Sequence, residues 1–151
     1  MKQQIIRVTK IFGWEMSHAL WNYDGLCSNL HGHSYVMHVT VKGKQISDKG
    51  SPKLGMVIDF GDLKRIVKEN IVDKFDHSVV LNSKADVAAL SGVKQMFDRV
   101  HLVDFQPTAE NLVVYYAEII KSKLPEGITL HSVRLYETAT SFAEWYADDN
   151  F

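Results

Sequence analysis

Three histidines and a cysteine crowd the stretch W-E-M-S-H-A-L-W-N-Y-D-G-L-C-S-N-L-H-G-H, residues 14–33. His31 and His33 flank Gly32, and residues i and i+2 of a strand point to one face. Their Cβ atoms then sit about 6.5–7 Å apart, close enough for both imidazoles to reach one ion at Zn–N distances of about 2.0–2.1 Å. His18 ends an alternating run upstream and can supply a third nitrogen from a neighbouring strand. Three imidazoles with an open fourth position describe a catalytic metal site, because that position takes water or substrate. Cys27 leaves two readings open. As a fourth ligand it would close the site and make it structural. Beside the metal it would serve as an acid/base group, since a nearby cation makes thiolate available near neutral pH.

Three more positions carry candidate chemistry. Asp76 and His77 are adjacent, and a carboxylate can orient an imidazole and stabilise its charged form. Adjacent residues of a regular strand point apart, so the pair needs an irregular backbone to touch. On the residues alone it reads as a turn aspartate and a surface histidine. Glu137 ends the apolar face of a late strand within Y-E-T-A-T-S. It reads either as an acceptor for the edge of an amino-heterocycle such as guanine or pterin, or as a rim glutamate in water. Glu110 stands in the first turn of a helix, where its charge suits the dipole, and it is a candidate ligand contact. His38 reads as a surface or cross-strand residue, and no partner is named for His101 or His131.

These residues need elements to hold them. Residues 3–18 alternate, with Ile6, Val8, Phe12, Trp14, Met16 and His18 on one parity, provided no bulge intervenes. Residues 19–30 read as a loop, and a second alternating strand follows from His33 to Lys42. Asp59 is a plausible helix cap, and Leu63, Ile66, Val67 and Ile71 recur at helical spacing to about Val72. Ala85 to Leu90 reads as a short helix closed by Gly92, and Val100 to Phe105 as a short extended piece. Thr108 caps a helix striped by Leu112, Val113, Tyr116, Ala117, Ile120 and Leu124, which Pro125 and Gly127 end. Two strands close the chain. In the first, Thr129, His131, Val133, Leu135 and Glu137 share a parity. In the second, Phe142 to Tyr146 alternate after a turn near Thr138 to Ser141. The expectation is an α+β fold: a four-stranded antiparallel sheet with two helices on one face, in the order ββααββ. Its open edges suggest oligomerisation.

Length and composition suit one domain over residues 1–151, large enough for a core without disulfides. A formal charge of −1 gives no basic field for nucleic acid. One cysteine fits a reducing compartment, and the N-terminus lacks a signal-peptide core. The most apolar stretch, Leu112 to Ile120, is too short to span a bilayer and contains Glu118. A cytoplasmic protein without membrane or nucleic-acid partners is expected.

Taken in order, S-H-A-L (17–20), C-S-N-L-H-G-H (27–33), G-M-V-I-D-F (55–60), D-H-S-V-V-L-N (76–82), P-T-A-E-N-L (107–112) and Y-E-T-A-T (136–140) resemble one enzyme family nearly end to end. It is the 6-pyruvoyltetrahydropterin synthase / 6-carboxytetrahydropterin synthase family. The resemblance implies a tunnelling fold, in which trimers of four-stranded sheets close into a barrel and two trimers stack as a hexamer. It implies catalytic zinc (Zn2+) on His18, His31 and His33, with Cys27 as general acid/base relayed through His77 and Asp76. It implies that Glu137 anchors the pterin ring in a pocket shared between subunits. The implied substrate is 7,8-dihydroneopterin triphosphate. Three residues separate Cys27 from H-G-H, which resembles the bacterial branch making 6-carboxy-5,6,7,8-tetrahydropterin for queuosine and other deazapurines; the biopterin-type branch has a longer gap. Residues 83–106 resemble an insertion that would alter substrate choice if it lay over the pocket. Lys10, Lys42, Lys44, Lys84 and Arg99 are eligible triphosphate ligands.

Overall fold

The structure is a computed structural model and describes residues 2–150. The chain opens with two long strands, β1 (Ile5–His18) and β2 (His31–Lys44). They pair antiparallel without a break, from Ile5 opposite Lys44 to His18 opposite His31. The uninterrupted ladder preserves the parity expected from the sequence. Phe12, Trp14, Met16 and His18 face inward from β1, and Tyr35, Met37, Val39 and Val41 from β2. Trp14 stacks on Tyr35 at 6.0 Å and meets Tyr116 edge-on at 5.7 Å. Such pairs add about 0.5–1.5 kcal/mol beyond the area they bury.

The helical layer covers this face. Asp59 caps α1 (Phe60–Val67) by accepting from the Gly61 amide at 2.7 Å. The sequence places the end of this helix near Val72, but it continues through a π turn (Lys68–Val72) into α2 (Asp73–Phe75). Leu63, Val67, Ile71 and Phe75 are all buried at four-residue spacing. An α-helix has about 3.6 residues per turn, so that spacing drifts around its axis. The wider i→i+5 turn pulls it back into line. In α4 (Ala109–Lys121), Thr108 accepts from the Asn111 amide at 3.3 Å, and Leu112, Val113, Tyr116, Ala117 and Ile120 are buried as the stripe predicts.

The sheet has six strands, in the order β4-β3-β1-β2-β5-β6, where the sequence reading expected four. The expected antiparallel set is present as β1, β2, β5 (Thr129–Thr138) and β6 (Ser141–Tyr146). Two short parallel strands extend it past β1: β3 (Ser78–Asn82) and β4 (Val100–Val103). Both are buried too evenly or are too short to show a period-two pattern. Between them, α3 runs from Val87 to Met96, capped by Asp86, and passes straight through Gly92 instead of stopping there. Gly92 lacks the positive φ that a helix-ending glycine adopts.

A second correction concerns β5. Thr40 opposes Ser132 but Val41 opposes Leu130, so His131 is an extra residue in a bulge. The single parity drawn from Thr129 to Glu137 therefore breaks at His131. Leu130 joins Val133 and Leu135 in the core, and His131 is buried beside Tyr146, its Nδ1 without a hydrogen-bond partner among the described residues. Among the described residues, no helix is long and apolar enough to cross a membrane.

Candidate metal centre and adjoining cavity

The β1–β2 ladder delivers the three histidines to one end of the sheet. His31 and His33 share a face of β2, and His18 lies directly across from His31. One ligand nitrogen from each ring can be chosen so that all lie within 4.8 Å of one another. β1 is an interior strand, with β2 on one side and β3 on the other, and His18 is buried to 1% exposure.

Hydrogen bonds fix which nitrogen faces the centre. His18 Nδ1 lies 2.6 Å from the Pro107 carbonyl oxygen, and His31 Nδ1 lies 2.7 Å from that of Asn29. A carbonyl only accepts, so each Nδ1 carries the proton and each Nε2 presents a lone pair. Those two Nε2 atoms are 3.1 Å apart. Two nitrogens bound tetrahedrally at the usual Zn–N length are about 3.3 Å apart. His33 Nε2 is buried and has no hydrogen-bond partner among the described residues. Burial pushes the His18 imidazole below its ordinary pKa, against the pull of the Pro107 carbonyl and Glu137, which favours the neutral ligand form. Donor type, tautomer, spacing and the orphaned nitrogen all fit a divalent cation of the zinc class. The sequence reading missed Pro107 and Asn29 as orienting groups. Asn29 lies between Cys27 and His31, but Pro107 comes from a segment far along the chain.

Glu137 reaches the same place from β5. Its carboxylate lies 3.6 Å from His33 Nε2 and 4.0 Å from His18 Nε2, and is 26% exposed. A cavity of about 280 Å³ adjoins it, walled by His18, Cys27, Glu110, Glu137 and Phe142. Cys27 sits in a short 3-10 turn (Leu26–Ser28), and the loop is pinned where the Leu20 amide donates to the Cys27 carbonyl at 2.9 Å. Gln106 grips the same loop with both ends of its amide, on the Trp21 N–H at 3.1 Å and the Trp21 carbonyl at 2.8 Å. Glu110 is exposed in the first turn of α4. Residues 83–106 do not line this cavity.

Asp76 and His77 meet by means of the irregular backbone they require. His77 has φ +57, and its Nδ1 lies 2.9 Å from Asp76 Oδ1. The Glu15 amide also donates to Asp76 Oδ1, at 3.0 Å. That amide, and then His77, hold the Asp76 carboxyl below the usual carboxylate range. The His77 side chain is 74% exposed and opens onto a different cleft, of about 390 Å³, beside Glu15, Ser17 and Ser34. Within one chain, then, the pair does not line the cavity that holds Cys27 and Glu137. A larger cavity of about 890 Å³ lies at the far end of β1 and β2 from the histidines, around Arg7, Lys42, Lys44 and Ile128, so two of the eligible triphosphate ligands, Lys42 and Lys44, line a different cavity from Cys27 and Glu137.

A family profile described as 6-pyruvoyl tetrahydropterin synthase matches residues 7–148. The chain is similar to the 6-carboxy-5,6,7,8-tetrahydropterin synthase of Haemophilus influenzae, with 35% identity over 145 residues, covering 93% of this chain and 99% of that one. It is also similar to the 6-pyruvoyl tetrahydrobiopterin synthase of Dictyostelium discoideum, with 32% identity covering 78% of this chain and 71% of that one. The solved 6-pyruvoyl tetrahydropterin synthase of Caenorhabditis elegans superposes with a TM-score of 0.67 at 25% identity, covering 95% and 96% of the two chains. The Plasmodium falciparum structure of the same name, at 19% identity and TM-score 0.69, shares the fold over 94% of this chain and 98% of that one. With a profile match spanning nearly the whole chain and a relative matched end to end, the chain belongs to the 6-pyruvoyl tetrahydropterin synthase family of enzymes.

Proposed function

We propose that this chain is a zinc-dependent lyase that takes 7,8-dihydroneopterin triphosphate and water to 6-carboxy-5,6,7,8-tetrahydropterin, acetaldehyde and triphosphate, in queuosine or related deazapurine synthesis. The observation that carries the reading is the His18–His31–His33 cluster set beside a cavity walled by Cys27, Glu110 and Glu137. The 6-carboxy assignment draws support from the relative matched over 99% of its length, whereas the biopterin-type relative is matched over 71%. The three-residue gap between Cys27 and His31 supports the same branch.

Zinc held by the three imidazoles supplies Lewis acidity toward oxygens of the substrate side chain. The protein's residues do the remaining work. Glu137 accepts hydrogen bonds from the amino edge of the pterin, and Glu110 lines the same wall. The Cys27 thiolate takes a carbon-bound proton, and His77, oriented by Asp76, moves protons onward. Side-chain oxidation and ring reduction balance within the substrate, so no nicotinamide is needed. Because His77 opens away from Cys27 within one chain, the relay is completed by a second copy in a trimer or hexamer.

The test is to incubate zinc-loaded protein with 7,8-dihydroneopterin triphosphate, assay acetaldehyde and identify the pterin by mass. Acetaldehyde with a carboxy-pterin is the expected outcome. A pyruvoyl product without acetaldehyde would move the chain to the biopterin-type reaction. Zinc and pterin binding without turnover would make it a binding protein.

A further inference from the structure

The turn that carries Asp76 and His77 is gripped from outside by Arg99, which stands immediately before β4. Its Nε donates to the Asp76 carbonyl oxygen at 2.9 Å, and its Nη2 to those of Asp73 and Lys74 at 2.6 and 3.0 Å. His101, two residues on, donates from Nε2 to the Lys74 carbonyl at 2.6 Å. On the far side of the turn, the Arg99 carbonyl accepts from the Val79 amide at 2.9 Å. Arg99 thus binds chain on both sides of residues 76–77. Its side-chain contacts use carbonyls at a helix end, which have no partner within the helix and carry partial negative charge. A planar guanidinium can reach several of them at once, whereas an ammonium is a point charge. These bonds also leave Arg99 poorly placed as the triphosphate ligand it was eligible to be.

The turn needs such a grip. A residue with a side chain pays about 1–2 kcal/mol to occupy the left-handed region, and keeps that conformation only where its surroundings over-determine it. His77 is in that region and largely exposed, so core packing does not hold it. On one side, β1 supplies Glu15, whose carbonyl accepts from the His77 amide at 2.6 Å and whose amide binds Asp76 Oδ1. On the other side stands Arg99. Without this backbone, adjacent side chains diverge and the Asp76–His77 contact opens.

We propose that Arg99 is the positioning residue of the Asp76–His77 pair, fixing the left-handed backbone that brings carboxylate and imidazole together. The proposal rests on the proton-handling role proposed for that pair. It also accounts for residues 83–106, which deliver Arg99 at the start of β4 instead of covering the cavity.

The experiment compares Arg99→Ala, Arg99→Lys, Asp76→Asn and His77→Ala in the zinc-loaded protein. It reads the His77 ring-nitrogen resonances and amide exchange, kcat and KM separately, zinc content and thermal midpoint. In Arg99→Ala, the His77 resonances should move to those of Asp76→Asn and its amide should exchange faster. The kcat should fall at least about tenfold with KM held within about twofold and zinc retained, and Arg99→Lys should recover part of the loss. Unchanged His77 resonances and kcat in Arg99→Ala, with His77→Ala inactive, would overturn the proposal. So would loss of zinc and thermal stability in step with kcat in both Arg99 variants, since that is a general structural role. If His77→Ala keeps full turnover, the catalytic reading of the pair fails, and the His77 resonances alone decide whether Arg99 holds the turn.

Discussion

His18 and His31 face each other across one rung of the β1–β2 ladder with their Nε2 lone pairs 3.1 Å apart. Both Nδ1 protons are committed to carbonyls, so neither ring has a proton left for the other. Two lone pairs at that distance repel unless a cation lies between them. His31→Ala should therefore cut zinc content from near one ion per chain to a small fraction, by more than the roughly 10–100-fold affinity loss seen when only an outer-shell partner is removed. Metal analysis of the purified variant checks this, and full occupancy would remove His31 from the ligand set.

Cys27 lies on the wall of the adjoining cavity, in a turn of its own. Cys27→Ala should keep its zinc and its fold while turnover falls by about 10²–10⁴, the range expected for loss of a general acid/base. Metal content, thermal midpoint and product formation are measured on one preparation. Loss of metal together with fold would instead make Cys27 a ligand of a closed structural site.

Glu137 is charged, part-buried and set against the histidines. Hydrogen bonds to a charged group are worth about 1.5–3 kcal/mol, so Glu137→Gln should weaken binding of an unreactive pterin about 10- to 150-fold. Calorimetric titration reads the affinity, and the thermal midpoint should barely move. Unchanged affinity would retire Glu137 as the pterin anchor.

The Asp76 carboxyl is held below its ordinary 3.8 by the Glu15 amide first and His77 second. A group whose native pKa lies below its unfolded value stabilises the fold above the unfolded value, and loses that contribution as pH falls through the native one. Asp76 is 40% exposed, so solvent keeps the effect small. The gap in urea midpoint between wild type and Asp76→Asn should favour wild type at neutral pH and narrow as pH falls below the ordinary carboxylate range of about 4. A gap independent of pH would mean that these donors do not act on the carboxylate's charge.

The parts of the fold that repeat with a period were legible in the chain. Alternation gave β1, β2 and the inward face of His18, and the 3.6-residue stripe gave α4 with its Thr108 cap. What stayed hidden depends on breaks in period or on distant partners. Ser78–Asn82 is buried at nearly every position, so it offers no alternation to read. The Asp76–His77 contact depends on one left-handed residue, and on Glu15 and Arg99 from elsewhere in the chain. Spacing drew His31 and His33 together. The proton placement that readies them for an ion comes from carbonyls whose roles no residue type announces.

The bulge at His131 makes the core face of β5 depend on a count as well as on a chemistry. Leu130 on one side of it and Leu135 on the other both point into the core, which an unbroken strand would forbid. Glu137 sits at a second irregularity, since Tyr136 opposes Phe142 but Thr138 opposes Ser141, so the direction of its side chain is set there. Deleting one residue at position 131 would leave every histidine, cysteine and carboxylate in the candidate site present in the chain. It would also force a choice between turning Leu130 out to solvent and turning Val133 and Leu135 out of the core. Along β5, a change of length is therefore a harsher mutation than most changes of identity.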